Sequence, residues 1–121
     1  MTPFGKHMRS LRLDKGMMLR ECAEQLGVTS AYLSALEHGK KGLPNARLLE
    51  QIVITMKLDK AQEAALRDSV KDSDTRFEIS AKATPIAFAT ANAFARRLPS
   101  LSELQLLRIK DILAEQGVPH E

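Results

Sequence analysis

Covalent chemistry finds little to work with in these 121 residues. His7, His38 and His120 are scattered, and none has a second ligand-type residue three or four positions away, as a helical metal site needs. Ser34, His38 and Asp14 supply the residue types of a catalytic triad, but no strained nucleophile turn or oxyanion hole accompanies them. Cys22 is the single cysteine, so it has no CxxC partner and no intrachain disulfide. It falls on the inner side of a helix and reads as a small core residue. Glu37 reads as a residue that caps or pairs within its own helical motif. The chain is therefore expected to hold no catalytic residue, metal or cofactor, and not to be an enzyme.

What remains is charge. Lys and Arg total 18 against 15 Asp and Glu, a net of +3 that argues for nothing by itself. Its distribution is more informative. Residues 1–44 carry seven Lys or Arg against four Asp or Glu, whereas residues 45–121 carry eleven of each. The surplus thus lies in the first third, with Lys6, Arg9, Arg12, Arg20, Lys40 and Lys41. Ammonium and guanidinium groups form charge-assisted bonds to anions such as phosphate. The bland alternative for any one of them is a solvated surface charge.

The bulk composition narrows the class of partner. Hydrophobic residues at 44% and charged residues at 27% fit a globular chain and disfavour disorder. One Tyr, four Phe and no Trp are too few for a stacking platform that grips single-stranded nucleic acid. No apolar run approaches the roughly 18 residues of a membrane span, and the start MTPFGKHMRS lacks the apolar stretch of a signal peptide. A reducing, cytoplasmic setting without membrane contact is expected. The length suits one core domain with a dependent extension.

The elements that must position these charges are helical. Phe4, Met8 and Leu11 recur at i, i+4 and i+7, so Pro3 to about Lys15 reads as an amphipathic helix capped by Thr2, with Lys6, Arg9 and Arg12 on its outer face. A second helix, about Leu19 to Leu26, ends at Gly27. A third runs from about Ser30 to His38, capped by Thr29 and closed by Gly39. Asn45 caps a fourth bearing Leu48, Leu49, Ile52, Val53 and Met56. Asp59 caps a fifth, to about Val70, bearing Ala61, Ala65 and Leu66.

Residues 71–75 hold no apolar side chain and read as a linker, separating a domain of residues 1–70 from an extension of residues 76–121. Within the extension, residues 76–80 alternate polar and apolar like a half-buried strand. A lone strand needs a partner, and the simplest is its copy in a second subunit. Helices follow at about residues 85–98 and 102–116, the second with an apolar surface wider than one stripe.

The stretch MLRECAEQLGVTSAYLSALEHGKK carries the strongest pattern. Two short helices joined by Gly27, Val28 and Thr29 make a helix-turn-helix. Ala23 must be small where the second helix crosses beneath it. Gly27 supplies a left-handed turn, and Val28, Leu33 and Leu36 pin the second helix to the core.

Here the sequence resembles the XRE (Cro and phage-repressor-like) helix-turn-helix family over roughly residues 4–70. Gly27, Thr29 and the Glu37, Gly39, Lys40 closure match the family pattern, and TPFGKHMRSLRLDKG is similar to small bacterial regulators with a short C-terminal extension. The resemblance implies an all-α, five-helix lambda-repressor-like domain with a small helical extension. It also implies a sequence-specific regulator of transcription that reads the major groove of double-stranded DNA with residues 30–38. By position it places Ser30, Ala31, Tyr32 and Ser34 at the base edges, with Ala35 on the same side, and counts Thr29, which opens the helix, among the DNA-binding residues. Arg20, Lys40 and Lys41 fall on phosphates. Tyr32 is equally a packing residue.

Many family members have Gln or Arg where this chain has Ser30, Ala31 and Ala35. Readout here is expected through hydroxyl bonds, the Ala31 methyl and DNA shape. The expected assembly is a homodimeric repressor, encoded by a bacterium, phage or plasmid and joined through Phe77, Ile79, Phe88, Leu104, Leu107 and Ile112. The alternative is an antitoxin or adaptor that binds a toxin or other protein through the same region and autoregulates its operon.

Overall fold

A computed structural model describes residues 1–115, and among them the regular structure is helical throughout. Gln116, the expected end of the last helix, and His120 lie outside the described residues. The chain divides into a unit of Met1–Phe77 and a second unit from Glu78 onward.

Five helices build the first unit: α1 (Pro3–Asp14), α2 (Leu19–Leu26), α3 (Ser30–Glu37), α4 (Ala46–Thr55) and α5 (Lys60–Lys71). Their starts follow the expected caps. Thr2, Thr29 and Asn45 accept bonds from the backbone N–H three residues on, and Asp59 forms a reciprocal capping box with Gln62. Helix α1 packs on α3 and α5, and α2 packs on α3 and α4. Between them lies one core of Phe4, Met8 and Leu11 from α1, Cys22, Ala23 and Leu26 from α2, and Leu33 and Leu36 from α3. Leu48, Leu49, Ile52, Met56 and Leu66 complete it. Each fully buried large side chain stabilises the fold by about 1.5–3 kcal/mol relative to exposure. Burial also pushes the Cys22 thiol above its ordinary pKa, keeping it neutral in the core.

Two departures from the sequence expectation concern polar side chains that turn inward. Arg12 does not share the outer face of α1 with Lys6 and Arg9. It is buried, because position 12 follows Phe4 and Met8 by eight and four residues and so lies on their side of the helix. Ser73, in the expected linker, is also buried. Its Oγ accepts from the Phe4 N–H at 2.8 Å and donates to the Ser69 carbonyl at 2.7 Å, tying the start of α1 to the end of α5. The inner face of α5 is centred on Leu66 and Ser69, while Ala61 and Ala65 are exposed.

In the second unit, Thr84 and Pro85 open α6 (Pro85–Arg97), a 3-10 turn spans Leu98–Ser100, and Ser102 opens α7 (Glu103–Ala114) with a capping box to Gln105. Residues 76–80 form no strand in the single chain. Phe77 and Ile79 are both exposed, and the Arg76 N–H bonds to the Asp74 side chain. An alternating run without a neighbouring strand has nothing to satisfy its ladder. None of the described residues of the second unit is buried.

Candidate nucleic-acid interface

The site is built on the α2–turn–α3 segment. Gly27 ends α2 at φ 72°, its own N–H bonding to the Glu24 carbonyl at 3.2 Å and the Val28 N–H bonding to the Ala23 carbonyl at 3.0 Å. A residue with a Cβ adopts that left-handed backbone at a cost, so glycine suits the corner. Ala23 is 1% exposed, so its small side chain lies in the core, on the helix that packs on α3 and α4. Thr29 Oγ1 then accepts from the Tyr32 N–H at 3.0 Å and starts α3.

An ion pair fixes α3 from beneath. Arg12 Nε and Nη2 donate to Glu37 Oε2 and Oε1 at 3.0 and 3.1 Å, and Arg12 Nη1 donates to the Met17 carbonyl at 3.1 Å. One guanidinium thereby ties the last residue of α3 and the α1–α2 loop to α1. Burying both charges is expensive, and the bidentate geometry with a third acceptor is what offsets it. Glu37 thus pairs, as its position suggested, though with α1 and not within the motif. Close approach adds to the clamp, since a Cβ on Gly5 would overlap the Glu37 carbonyl.

Burying Arg12 with Glu37 leaves the balance at the surface intact. Lys6, Arg9, Lys15, Arg20, Lys40 and Lys41 are exposed, against exposed Asp14, Glu21 and Glu24. The Lys40 N–H closes α3 on the Ala35 carbonyl at 2.8 Å, and both loop ammonium groups project into solvent. Arg20 stands in the first turn of α2, where no side chain caps the helix. Among the described residues its ion-pair partner is Glu24 at 3.8 Å, with both side chains largely exposed. Such a pair is worth about 0–1 kcal/mol and is easily exchanged for a phosphate.

Along α3, Ala31 is exposed and Ser30, Ser34 and Ala35 are half-exposed, so all four are open to a ligand. Tyr32 is half-buried and packs against the core. The Thr29 hydroxyl is engaged as acceptor by the cap and keeps its own proton to donate.

Sequence reasoning missed Arg47. It is exposed in the first turn of α4 and lines a polar cleft of about 890 Å³ with Gln25, Thr29, Tyr32, Asn45 and Gln51. Dividing the charge count at residue 44 placed it in the balanced remainder; its nearness in sequence to Lys40 and Lys41 was the available signal. The histidines take other places. His38 Nδ1 lies 2.8 Å from the Ser34 carbonyl, not its hydroxyl, and His7 Nε2 is buried with no hydrogen-bond partner among the described residues.

Two short helices at a glycine corner, the second clamped from beneath and open on its outer side, define a helix-turn-helix module. Residues 3–66 match the family described as a helix-turn-helix domain, and the chain belongs to that family. Among curated proteins it is similar to three regulators of Bacillus subtilis. It is 31% identical over 58 residues to the HTH-type transcriptional regulator RghRB, covering 48% of this chain and 42% of the relative. It is 29% identical over 58 residues to the HTH-type transcriptional repressor RghR, covering 48% and 43%. It is 35% identical over 48 residues to the HTH-type transcriptional regulator SinR, covering 40% and 43%. The match spans less than half the length of each relative. No solved structure matches the chain.

Proposed function

We propose that this chain is a sequence-specific, double-stranded DNA-binding regulator of transcription, acting as a homodimeric repressor. The observation that carries the reading is the clamped α3, whose outer residues Ser30, Ala31, Ser34 and Ala35 are open and flanked by exposed Arg20, Lys40 and Lys41. An α-helix fits the major groove of B-DNA, and its N-terminal residues meet base edges. In this reading Ser30 and Ser34 donate or accept hydroxyl bonds, Ala31 contacts a thymine methyl, and Tyr32 lies beside them from its half-buried position. The uncapped start of α2 with Arg20, the Lys40–Lys41 loop and Arg47 hold phosphates. The regulators it is similar to, a repressor among them, support regulation as the use of this binding.

Dimerisation follows from affinity. One module of this size binds weakly, and two linked modules spaced near one DNA turn gain through effective concentration. The exposed apolar residues Phe77, Ile79, Phe88, Leu104, Leu107 and Ile112 are the proposed contacts. The same exposed surface favours a second reading, an antitoxin or adaptor that holds another protein there; a chain that is monomeric until such a protein is added would support it.

Selection of bound sequences from a random double-stranded DNA pool tests the function. A two-part, pseudo-palindromic site is expected, with Ser30→Ala and Tyr32→Ala shifting the preferred bases. A pool that yields no motif would overturn sequence-specific binding, and a uniform loss of affinity in both variants would reduce these residues to positioning.

A further inference from the structure

We infer that Thr2 is a positioning residue for the basic loop: the first turn of α1 is a fixed stop against which Gly39 rests, holding Lys40 and Lys41 where a DNA backbone can meet them. This role rests on the DNA reading above and deepens it, since Thr2 acts through Gly39 and not on phosphate itself.

The contact at Gly39 is close. A Cβ on Gly39 would stand 2.8 Å from Thr2 Cγ2 and 3.4 Å from the Thr2 backbone nitrogen, so a side chain fits there only if Thr2 or the loop shifts. Thr2 does not turn its methyl aside freely. Its Oγ1 and Cγ2 hang from the same Cβ, and Oγ1 accepts from the Gly5 N–H at 3.0 Å, so rotating the methyl breaks the cap of α1.

The turn that carries Thr2 is held on two further sides. The Phe4 N–H donates to the buried Ser73 Oγ at 2.8 Å, and Phe4 itself is fully buried. Gly5 is buried against the Glu37 carbonyl, which a Cβ would overlap. The end of α5, the end of α3 and the basic loop therefore all meet the short segment from Thr2 to Gly5.

On the loop side, the Gly39 N–H bonds to the Leu36 carbonyl at 3.2 Å and the Lys40 N–H to the Ala35 carbonyl at 2.8 Å, while Lys41, Gly42 and Leu43 are exposed. A stop at Gly39 thus acts directly on the two residues that carry the ammonium groups. Binding groups work best when a supporting layer locks their placement. A loop freed from its stop must be ordered again on DNA, and ordering one backbone residue costs about tenfold in affinity.

The test is a double-mutant cycle in the full chain, read as affinity for a double-stranded DNA of mixed sequence at low salt, because a phosphate grip does not depend on sequence. Thr2→Ser keeps the cap oxygen and deletes the methyl, and should weaken binding by about threefold; Gly39→Ala should weaken it by about tenfold. With both changes the new methyl at position 39 takes the space of the deleted one, and binding should recover about fivefold from Gly39→Ala. The left-handed backbone at position 39, φ 77°, penalises alanine equally in both chains, so the recovery reports the contact alone. Gly39→Asn, which tolerates that backbone better, carries the same cycle if the alanine chain does not fold.

Urea midpoints are read on each chain, with binding measured well below them. Variants that shift the midpoint while the folded chain binds like wild type would overturn the inference, and so would a double variant that binds no better than Gly39→Ala. A wild-type chain without affinity for DNA would remove the DNA reading and this role with it. Wild-type affinity that depends on Lys40 and Lys41, without coupling between positions 2 and 39, would remove this role alone.

Discussion

The first and second units are made from helices of similar length opened by the same chemistry, and they reach opposite states. Thr2, Thr29, Asn45 and Asp59 start helices in the first unit as Thr84 and Ser102 do in the second. Yet Phe4, Met8, Leu33, Leu36, Ile52 and Leu66 are fully buried, while Ile86, Leu104, Ile112 and Leu113 stand more than half exposed. Caps decide where a helix begins. Whether it is held depends on having another apolar face to meet, and five helices packed around one core supply that where two do not.

The contrast is sharpest at the buried ion pair. Glu37→Ala leaves the Arg12 guanidinium buried without its carboxylate, and urea unfolding of the first unit should show a loss of about 3–5 kcal/mol. Replacing both, Arg12→Met with Glu37→Leu, should recover most of it; a double variant as unstable as the single one would break the argument that the uncompensated charge is the cost.

Truncation of apolar residues separates the units next. Leu33→Ala should lower first-unit stability by about 2–5 kcal/mol. Ile112→Ala should leave that transition within about 0.5 kcal/mol and alter only the apparent mass. Equal effects on the first-unit transition would mean that the units share a core.

Smaller effects sharpen the polar contacts. Ser73→Ala strands the Phe4 N–H and should destabilise the first unit by about 1–3 kcal/mol in the same titration. Glu24→Gln, which removes the exposed neighbour of Arg20, should change stability by less than about 0.5 kcal/mol while raising affinity for DNA through the charge it deletes. A stability loss beyond that would show the Arg20–Glu24 pair to be structural.

Much of this was legible in the residues themselves. The helix starts, the glycine corner and the core positions follow from caps and 3.6-residue periodicity, which act locally. Arg12 and Ser73 were misplaced because hydropathy treats a charge or a hydroxyl as outward-facing. Each is inside for a reason supplied by a residue distant in sequence, Glu37 in one case and the N–H of Phe4 in the other. Arg12 still carried a trace of its position in its spacing from Phe4 and Met8. For Ser73 no local signal exists, since the need it meets belongs to another helix. The alternation at residues 76–80 makes no strand in the single chain for the opposite reason. Its period fits a strand, but pairing is not a property of the strand alone.

The candidate interface follows the same division. Thr29, Ser30 and Ala31 are assigned by the family resemblance that the turn residues carry, and Lys40 and Lys41 by that resemblance together with the charge surplus. Arg47 follows Lys40 and Lys41 closely in sequence, but its tie to the site needs α4 packed on α2, where it and Tyr32 line one cleft.

The most direct measurement of the central claim is the salt dependence of affinity for a double-stranded DNA site, taken for the wild-type chain and for Lys40→Ala, Lys41→Ala. If both ammonium groups neutralise phosphates, log affinity falls with log salt by about 0.9 per phosphate contacted, and the double variant flattens that slope by a few units per dimer. An unchanged slope would contradict the account, because it would place the basic loop away from DNA.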